Sequence, residues 1–165
     1  MTEPMSVKVL FVCLGNICRS PTAQGVFEQL VTDHQLSNII TTDSAGTAAW
    51  HIGKQPDSRS IAAAARRGCD LTGLRARQVS RSDFDQFDYI LAMDSSNLAD
   101  LQALCPADYR GELALFLDYG DSDIEAVPDP YYGDGDGFEQ VLDLVEQASA
   151  GLLASIQQQT HNPVS

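Results

Sequence analysis

Apolar residues follow two rhythms along this chain, and the two alternate. Residues 7–13 (Val-Lys-Val-Leu-Phe-Val-Cys) are a short β-rich apolar run, the pattern of a strand buried in a parallel sheet. Gly15-Asn16 interrupts it. Ala23, Val26, Phe27 and Leu30 then recur at helical spacing, behind Ser20 as the expected N-cap and Pro21 at the first helical position. Residues 39–44 predict a second strand, stopped by Gly46. Asp57 or Ser58 can cap a helix that runs through Ile61 and the alanines 62–65 to a stop at Gly68. Residues 89–93 predict a third strand, and the helix after it is capped at Ser95 or Ser96 and ends near Leu104, ahead of Pro106. Residues 112–117 predict a fourth strand. The last helix places Phe138, Val141, Leu142, Val145, Ala148, Leu152 and Ile156 on one face. Residues 157–165 read as a frayed polar tail, and residues 1–5 and 158–165 are expected to be flexible.

Strands alternating with helices imply an α/β fold: a parallel four-stranded sheet with helices on both faces, in a single domain spanning 1–165. No internal repeat or linker divides the chain. Residues 118–137 stand out as an acidic loop rich in Asp, Gly and Pro, and a loop of that length inside a compact domain is more often functional than idle.

Composition narrows the partners. The 165 residues include 10 Lys plus Arg and 23 Asp plus Glu, for a formal net charge of −13. The imbalance is local, because residues 1–110 hold all 10 basic residues and 12 acidic ones, whereas 111–165 hold 11 acidic residues and no Lys or Arg. Such a chain has no basic patch with which to neutralise nucleic-acid phosphates, nor a cationic face for an anionic membrane. Nucleic acid and membrane are therefore excluded as expected partners. A domain of this size buries roughly 70% of its unfolded surface and needs no disulfides or structural metal. The N-terminus lacks the basic start and apolar run of a signal peptide, and the longest apolar stretch, 9–14, is too short to span a bilayer. A cytoplasmic location is expected, where Cys13, Cys18, Cys69 and Cys105 are thiols that matter through reactivity.

Ligands of open α/β sheets collect at the carboxyl ends of the strands. The first such end is Cys13-Leu14-Gly15-Asn16-Ile17-Cys18-Arg19-Ser20, a strand-to-helix turn whose backbone N–H groups can form an anion cradle at a helix N-terminus. Gly15 allows a positive φ there, and Asn16 tolerates one. Helix N-termini and nearby guanidinium groups favour the thiolate, which suits Cys13 to nucleophilic attack. Arg19 offers a planar fork for two oxygens of one phosphate, and Ser20 can donate its hydroxyl to the sulfur while capping the helix. The chemistry that fits is attack by sulfur on a phosphoryl group. Zinc is disfavoured by the four-residue gap between Cys13 and Cys18 and by the absence of a second cluster. No nucleotide phosphate loop is present, and His34, His51 and His161 are scattered, as surface residues are.

The run from Cys13 to Pro21 resembles the active-site loop of the low-molecular-weight protein tyrosine phosphatases, and Asp129-Pro130-Tyr131-Tyr132-Gly133 resembles their acid loop. Asp43-Ser44-Ala45-Gly46-Thr47, Trp50, Ala76-Arg77-Gln78 and residues 87–94 add to the similarity, which covers nearly the whole chain. The resemblance implies a flavodoxin-like, phosphatase I type fold and hydrolysis of phosphotyrosine, an aryl phosphate monoester, with neither metal nor cofactor. Cys13 would form a phosphocysteine intermediate while Arg19 and the amides of Leu14, Gly15, Asn16, Ile17, Cys18 and Ser20 hold the phosphoryl oxygens. Asp129 would act as general acid and then base. Composition and spacing alone equally nominate Asp134 or Asp136. Asn16 and Ser44 would brace the loop, and Trp50, Tyr131 and Tyr132 would wall the cleft. Cys18 would form a reversible disulfide with Cys13 on oxidation, making the enzyme redox-sensitive. Partners would be tyrosine-phosphorylated proteins and a cognate tyrosine kinase.

The chain departs from the family pattern in two places. Leu74 stands where many members have a histidine, so the hydrogen-bond network behind the loop is expected to be built differently, and the tail has no tyrosine cluster. Three other functions compete. Protein-arginine phosphatases of this type carry Thr where Ile17 stands. Arsenate reductases need two further neighbouring cysteines, whereas Cys69 and Cys105 are far apart. A non-catalytic phosphate-binding or redox-sensing module has no need of Cys13, Arg19 and Asp129 together.

Overall fold

The computed structural model describes residues 6–120, 126–128 and 136–161. Its first strand, β1, is Val7–Cys13, and helix α1, Arg19–Asp33, follows the turn. Strand β2 is Ile40–Gly46, helix α2 is Ser58–Ala65, strand β3 is Tyr89–Ala92 and helix α3 is Ser95–Leu104. Strand β4, Glu112–Leu115, passes into a single 3-10 turn at Phe116–Tyr119. The long helix α4, Asp136–His161, closes the order. All pairings are parallel, in the order β2-β1-β3-β4, so the expected four-stranded α/β fold is present.

Alternation along β1 sorts its side chains between two cores. Val7, Val9, Phe11 and Cys13 join α1, α2 and α4 on one face; Leu10 and Val12 join Ile90, Ala92, Phe84 and Leu101 of α3 on the other. Phe11 lies at the centre of the larger core, edge-on to Phe27 at 5.7 Å and Phe116 at 5.0 Å between ring centroids. The acidic excess of α4 is partly matched across this face, where Arg67 pairs with Glu139, Asp143 and Glu146, and Arg66 with Glu139.

Several element ends differ from the sequence reading. Helix α1 begins at Arg19 behind Cys18, not behind Ser20. Pro21 remains inside the first turn, where its missing N–H costs nothing. Helix α3 is capped by Asp94, whose Oδ1 accepts from Asn97 N at 2.7 Å, rather than by Ser95 or Ser96, because a carboxylate one residue earlier reaches the same orphan N–H. Asp57 caps α2 as expected, accepting from Arg59 N, and Gly68 adopts φ 84° three residues after the helix ends. Phe116 and Leu117 leave the fourth strand for the 3-10 turn. Residues 157–161, expected to be frayed, continue α4. Of the loop at 118–137, the stretches 121–125 and 129–135 lie outside the described residues, as do 1–5 and 162–165.

Strand order 2-1-3-4 reverses direction between β1 and β3, since β1 leads outward to β2 and β3 leads the other way to β4. Ligand crevices open at such a switch point. Cys13 ends β1 there, and Asp94 lies two residues beyond the end of β3.

Candidate active site

The turn after β1 is held from outside by its carbonyls. Thr47 N donates to Cys13 O at 2.9 Å, Ala48 N to Leu14 O at 3.0 Å, and Asp57 N to Ile17 O at 2.8 Å. Within it the positive φ falls on Asn16, at 59°, and not on Gly15. Gly15 lies close under a neighbouring ring: a Cβ there would sit 3.1 Å from Cδ2 of His51. His51 is thus packed against the turn, whereas sequence placed it with the scattered histidines.

Cys13 Sγ lies 3.0 Å from Ser20 Oγ and 3.3 Å from the backbone N of Asn16, which donates to it. Ser20 therefore turns its hydroxyl to the sulfur instead of capping the helix. Asn16 is buried, and its side chain has a partner for every polar group: Nδ2 donates to Ser20 Oγ at 2.8 Å and Ser44 Oγ at 3.0 Å, while Oδ1 accepts from Arg77 N at 2.9 Å. Ser44 in turn donates to Oε1 of the buried Gln24 at 2.7 Å. With these bonds Asn16 and Ser44 brace the turn, and Leu74 packs against the apolar core. The Arg77 guanidinium fixes its own backbone by bonding Asp43 and Asp83 at 3.1 Å each.

Arg19 is 4% exposed, and its Nη1 donates to Asp94 Oδ2 at 2.7 Å and to Val127 O at 3.2 Å. Asp94 thus caps α3 and holds Arg19 with its two oxygens. Sequence reasoning missed it, as it missed Gln24. The one available signal for Asp94 was its place at a strand end, directly ahead of the predicted helix. Val127 N donates to Met93 O at 2.7 Å, which ties the chain two residues ahead of Asp129 to the end of β3.

Around the mouth, Leu14 and Ile17 are half-buried and Cys18 is buried. No cysteine is in a disulfide. Trp50 is 67% exposed on the turn that follows the Thr47 and Ala48 contacts. The Arg59 guanidinium grips Asp57 with two bonds, at 3.0 and 2.9 Å, and holds its carboxyl below the usual carboxylate range. Asp129, Tyr131 and Tyr132 lie outside the described residues.

A thiol at the foot of a strand-to-helix turn, with a buried arginine six residues on and a parallel sheet behind, defines a cysteine-based phosphate-handling protein. Comparison with known proteins makes this specific. Residues 8–162 match the family model described as low molecular weight phosphotyrosine protein phosphatase. The low molecular weight protein-tyrosine-phosphatase YfkJ of Bacillus subtilis is 44% identical over 154 residues, covering 93% of this chain and 97% of the relative. The human low molecular weight phosphotyrosine protein phosphatase is 43% identical over 143 residues, covering 86% and 90%. A crystal structure of protein tyrosine phosphatase from Entamoeba histolytica superposes with a TM-score of 0.89 at 41% identity, covering 93% of this chain and 98% of that one. The chain belongs to the low-molecular-weight phosphotyrosine protein phosphatase family.

Proposed function

We propose that this protein hydrolyses phosphotyrosine monoesters on proteins through a phosphocysteine intermediate. The observation that carries the reading is the setting of Cys13, whose sulfur meets both the Ser20 hydroxyl and an N–H of the turn. A hydroxyl and an amide N–H directed at one sulfur suit a thiolate nucleophile.

Cys13 Sγ attacks phosphorus in line, the S–P bond forming as the P–O bond to the phenol breaks. The amides of Leu14, Gly15, Ile17, Cys18 and Arg19 and the Arg19 guanidinium hold the equatorial oxygens, where transition-state charge resides, while the Asn16 N–H faces the sulfur. Asp94 keeps that guanidinium aimed, and Ser20 stabilises the sulfur as leaving group when water attacks phosphocysteine. Asp129 protonates the departing phenolate and then deprotonates the water. Its role rests on the motif. Trp50, with Tyr131 and Tyr132, walls a cleft for the aryl ring. Tyrosine-phosphorylated proteins are the substrates, with a cognate tyrosine kinase as partner and the cytoplasm as compartment. Peroxide oxidises Cys13 to a sulfenic acid that Cys18 converts to a disulfide, releasing water.

A panel of peptides carrying phosphotyrosine, phosphoarginine or phosphoserine, together with arsenate and a thiol reductant, tests this reading. Phosphate release from phosphotyrosine alone, abolished by Cys13→Ser and unaffected by EDTA, supports it. Preferential turnover of phosphoarginine, or arsenite formation, overturns the substrate assignment.

A further inference from the structure

Behind Cys13 the hydrogen bonds form one chain whose direction can be read group by group. Ser44 has a single hydroxyl hydrogen; its oxygen accepts from Asn16 Nδ2 at 3.0 Å, and its hydrogen goes to Gln24 Oε1 at 2.7 Å. The second Nδ2 hydrogen of Asn16 goes to Ser20 Oγ at 2.8 Å. Ser20 Oγ is thereby an acceptor from Asn16, and its own hydrogen remains for Cys13 Sγ at 3.0 Å, ahead of the more distant Ala45 carbonyl at 3.4 Å. Two groups set this polarity. Arg77 N–H fixes Asn16 Oδ1 on its side, because a flipped amide would set two donors against each other. Gln24 Oε1 takes the Ser44 hydrogen, which leaves the lone pairs of the Ser44 oxygen facing Asn16 Nδ2. Gln24 is 6% exposed on α1 and presents an uncharged acceptor to Ser44.

We infer that Gln24 is a positioning residue for Cys13: as the terminal acceptor of the chain Gln24–Ser44–Asn16–Ser20–Cys13, it orients the Ser20 hydroxyl so that it donates to the thiolate. The inference rests on the reading of Cys13 as nucleophile and extends it to a side chain that never touches substrate. The acceptor oxygen is what counts, and the carboxamide's bulk is secondary.

The test is alkylation of Cys13 by iodoacetamide, followed by mass spectrometry of the Cys13 peptide in the full-length protein without substrate. Gln24→Met keeps the length and removes the acceptor; Gln24→Glu keeps an acceptor oxygen. Gln24→Met should slow alkylation about tenfold at pH 6 and by less at pH 9. Its kcat should fall with the pH 6 alkylation rate while KM is held, and Gln24→Glu should recover most of the loss. Wild-type alkylation of Gln24→Met at both pH values overturns the inference. So does an equal, pH-independent loss in both variants that tracks a lowered melting temperature, which would mark Gln24 as packing alone. Gln24→Leu is the second apolar variant should Gln24→Met not fold. Because alkylation is read without substrate, it stands apart from the substrate panel: retained hydrolysis in Cys13→Ser sinks the proposed function, whereas these variants address only the path to the thiol.

Discussion

Replacing Asp94 with alanine removes two interactions at once, and replacing it with asparagine removes one. Its Oδ1 caps α3 and its Oδ2 pairs with Arg19 at 2.7 Å. Loss of an N-cap costs about 1 kcal/mol. Breaking a buried ion pair costs about 3–5 kcal/mol, but the Asp94 side chain is 26% exposed and water can take part of its place, which reduces this to about 1–2 kcal/mol. Asp94→Ala should therefore cost about 2–3 kcal/mol, and Asp94→Asn, whose amide oxygen still caps the helix, about 1–2 kcal/mol. For a chain of this size these figures lower Tm by about 4–12 °C and about 2–8 °C. Scanning calorimetry with and without inorganic phosphate is the assay. A bound dianion gives Arg19 a new counter-charge, so phosphate should raise Tm more in Asp94→Asn than in the wild type. Variants that both melt within about a degree of wild type, with equal responses to phosphate, would show that Asp94 does not hold Arg19.

Other perturbations probe the scaffold and the acid. A Cβ at Gly46 would lie 2.6 Å from the Leu14 carbonyl, so Gly46→Ala should displace the turn, costing about 1–3 kcal/mol by calorimetry and at least about tenfold in kcat/KM. Burial and the nearby Asp88 push the Tyr109 phenol well above its ordinary range, and it donates to Phe87 O at 2.8 Å. Because the folded state raises this value, the contribution to stability is complete below about pH 10 and is lost as pH rises beyond it. Urea melts at pH 8 and 11 should show Tyr109→Phe about 1 kcal/mol less stable at pH 8, with a smaller deficit at pH 11. Asp129→Ala should slow phenyl phosphate far more than p-nitrophenyl phosphate, whose leaving group needs less protonation; an equal loss on both substrates would remove Asp129 as the acid.

The fold was legible because each strand carries its own rhythm. The run 7–13 and its alternation between two cores, with Phe11 on one face and Val12 on the other, follow from sequence spacing alone. The nucleophile was legible for a similar reason, since Cys13, Arg19 and Ser20 share one short turn. What escaped are contacts made across elements. Asp94 is 75 positions from Arg19 and Gln24 is 20 from Ser44, and no local pattern joins such pairs. The start of α1 was misplaced because Ser20 has the chemistry of a cap, while the fold gives its hydroxyl to a sulfur seven residues earlier. Gly15 and Asn16 were both offered for the positive φ of the turn, and the fold places it on Asn16.

The account's central claim is that Cys13 carries the phosphoryl group during turnover. Rapid acid quench of the enzyme mixed with a radiolabelled aryl phosphate, followed by peptide mapping, tests it most directly. The account predicts a burst of phenol approaching one equivalent per enzyme and label on the peptide containing Cys13, both absent in Cys13→Ser. Full turnover by Cys13→Ser, or label on any other residue, would contradict it.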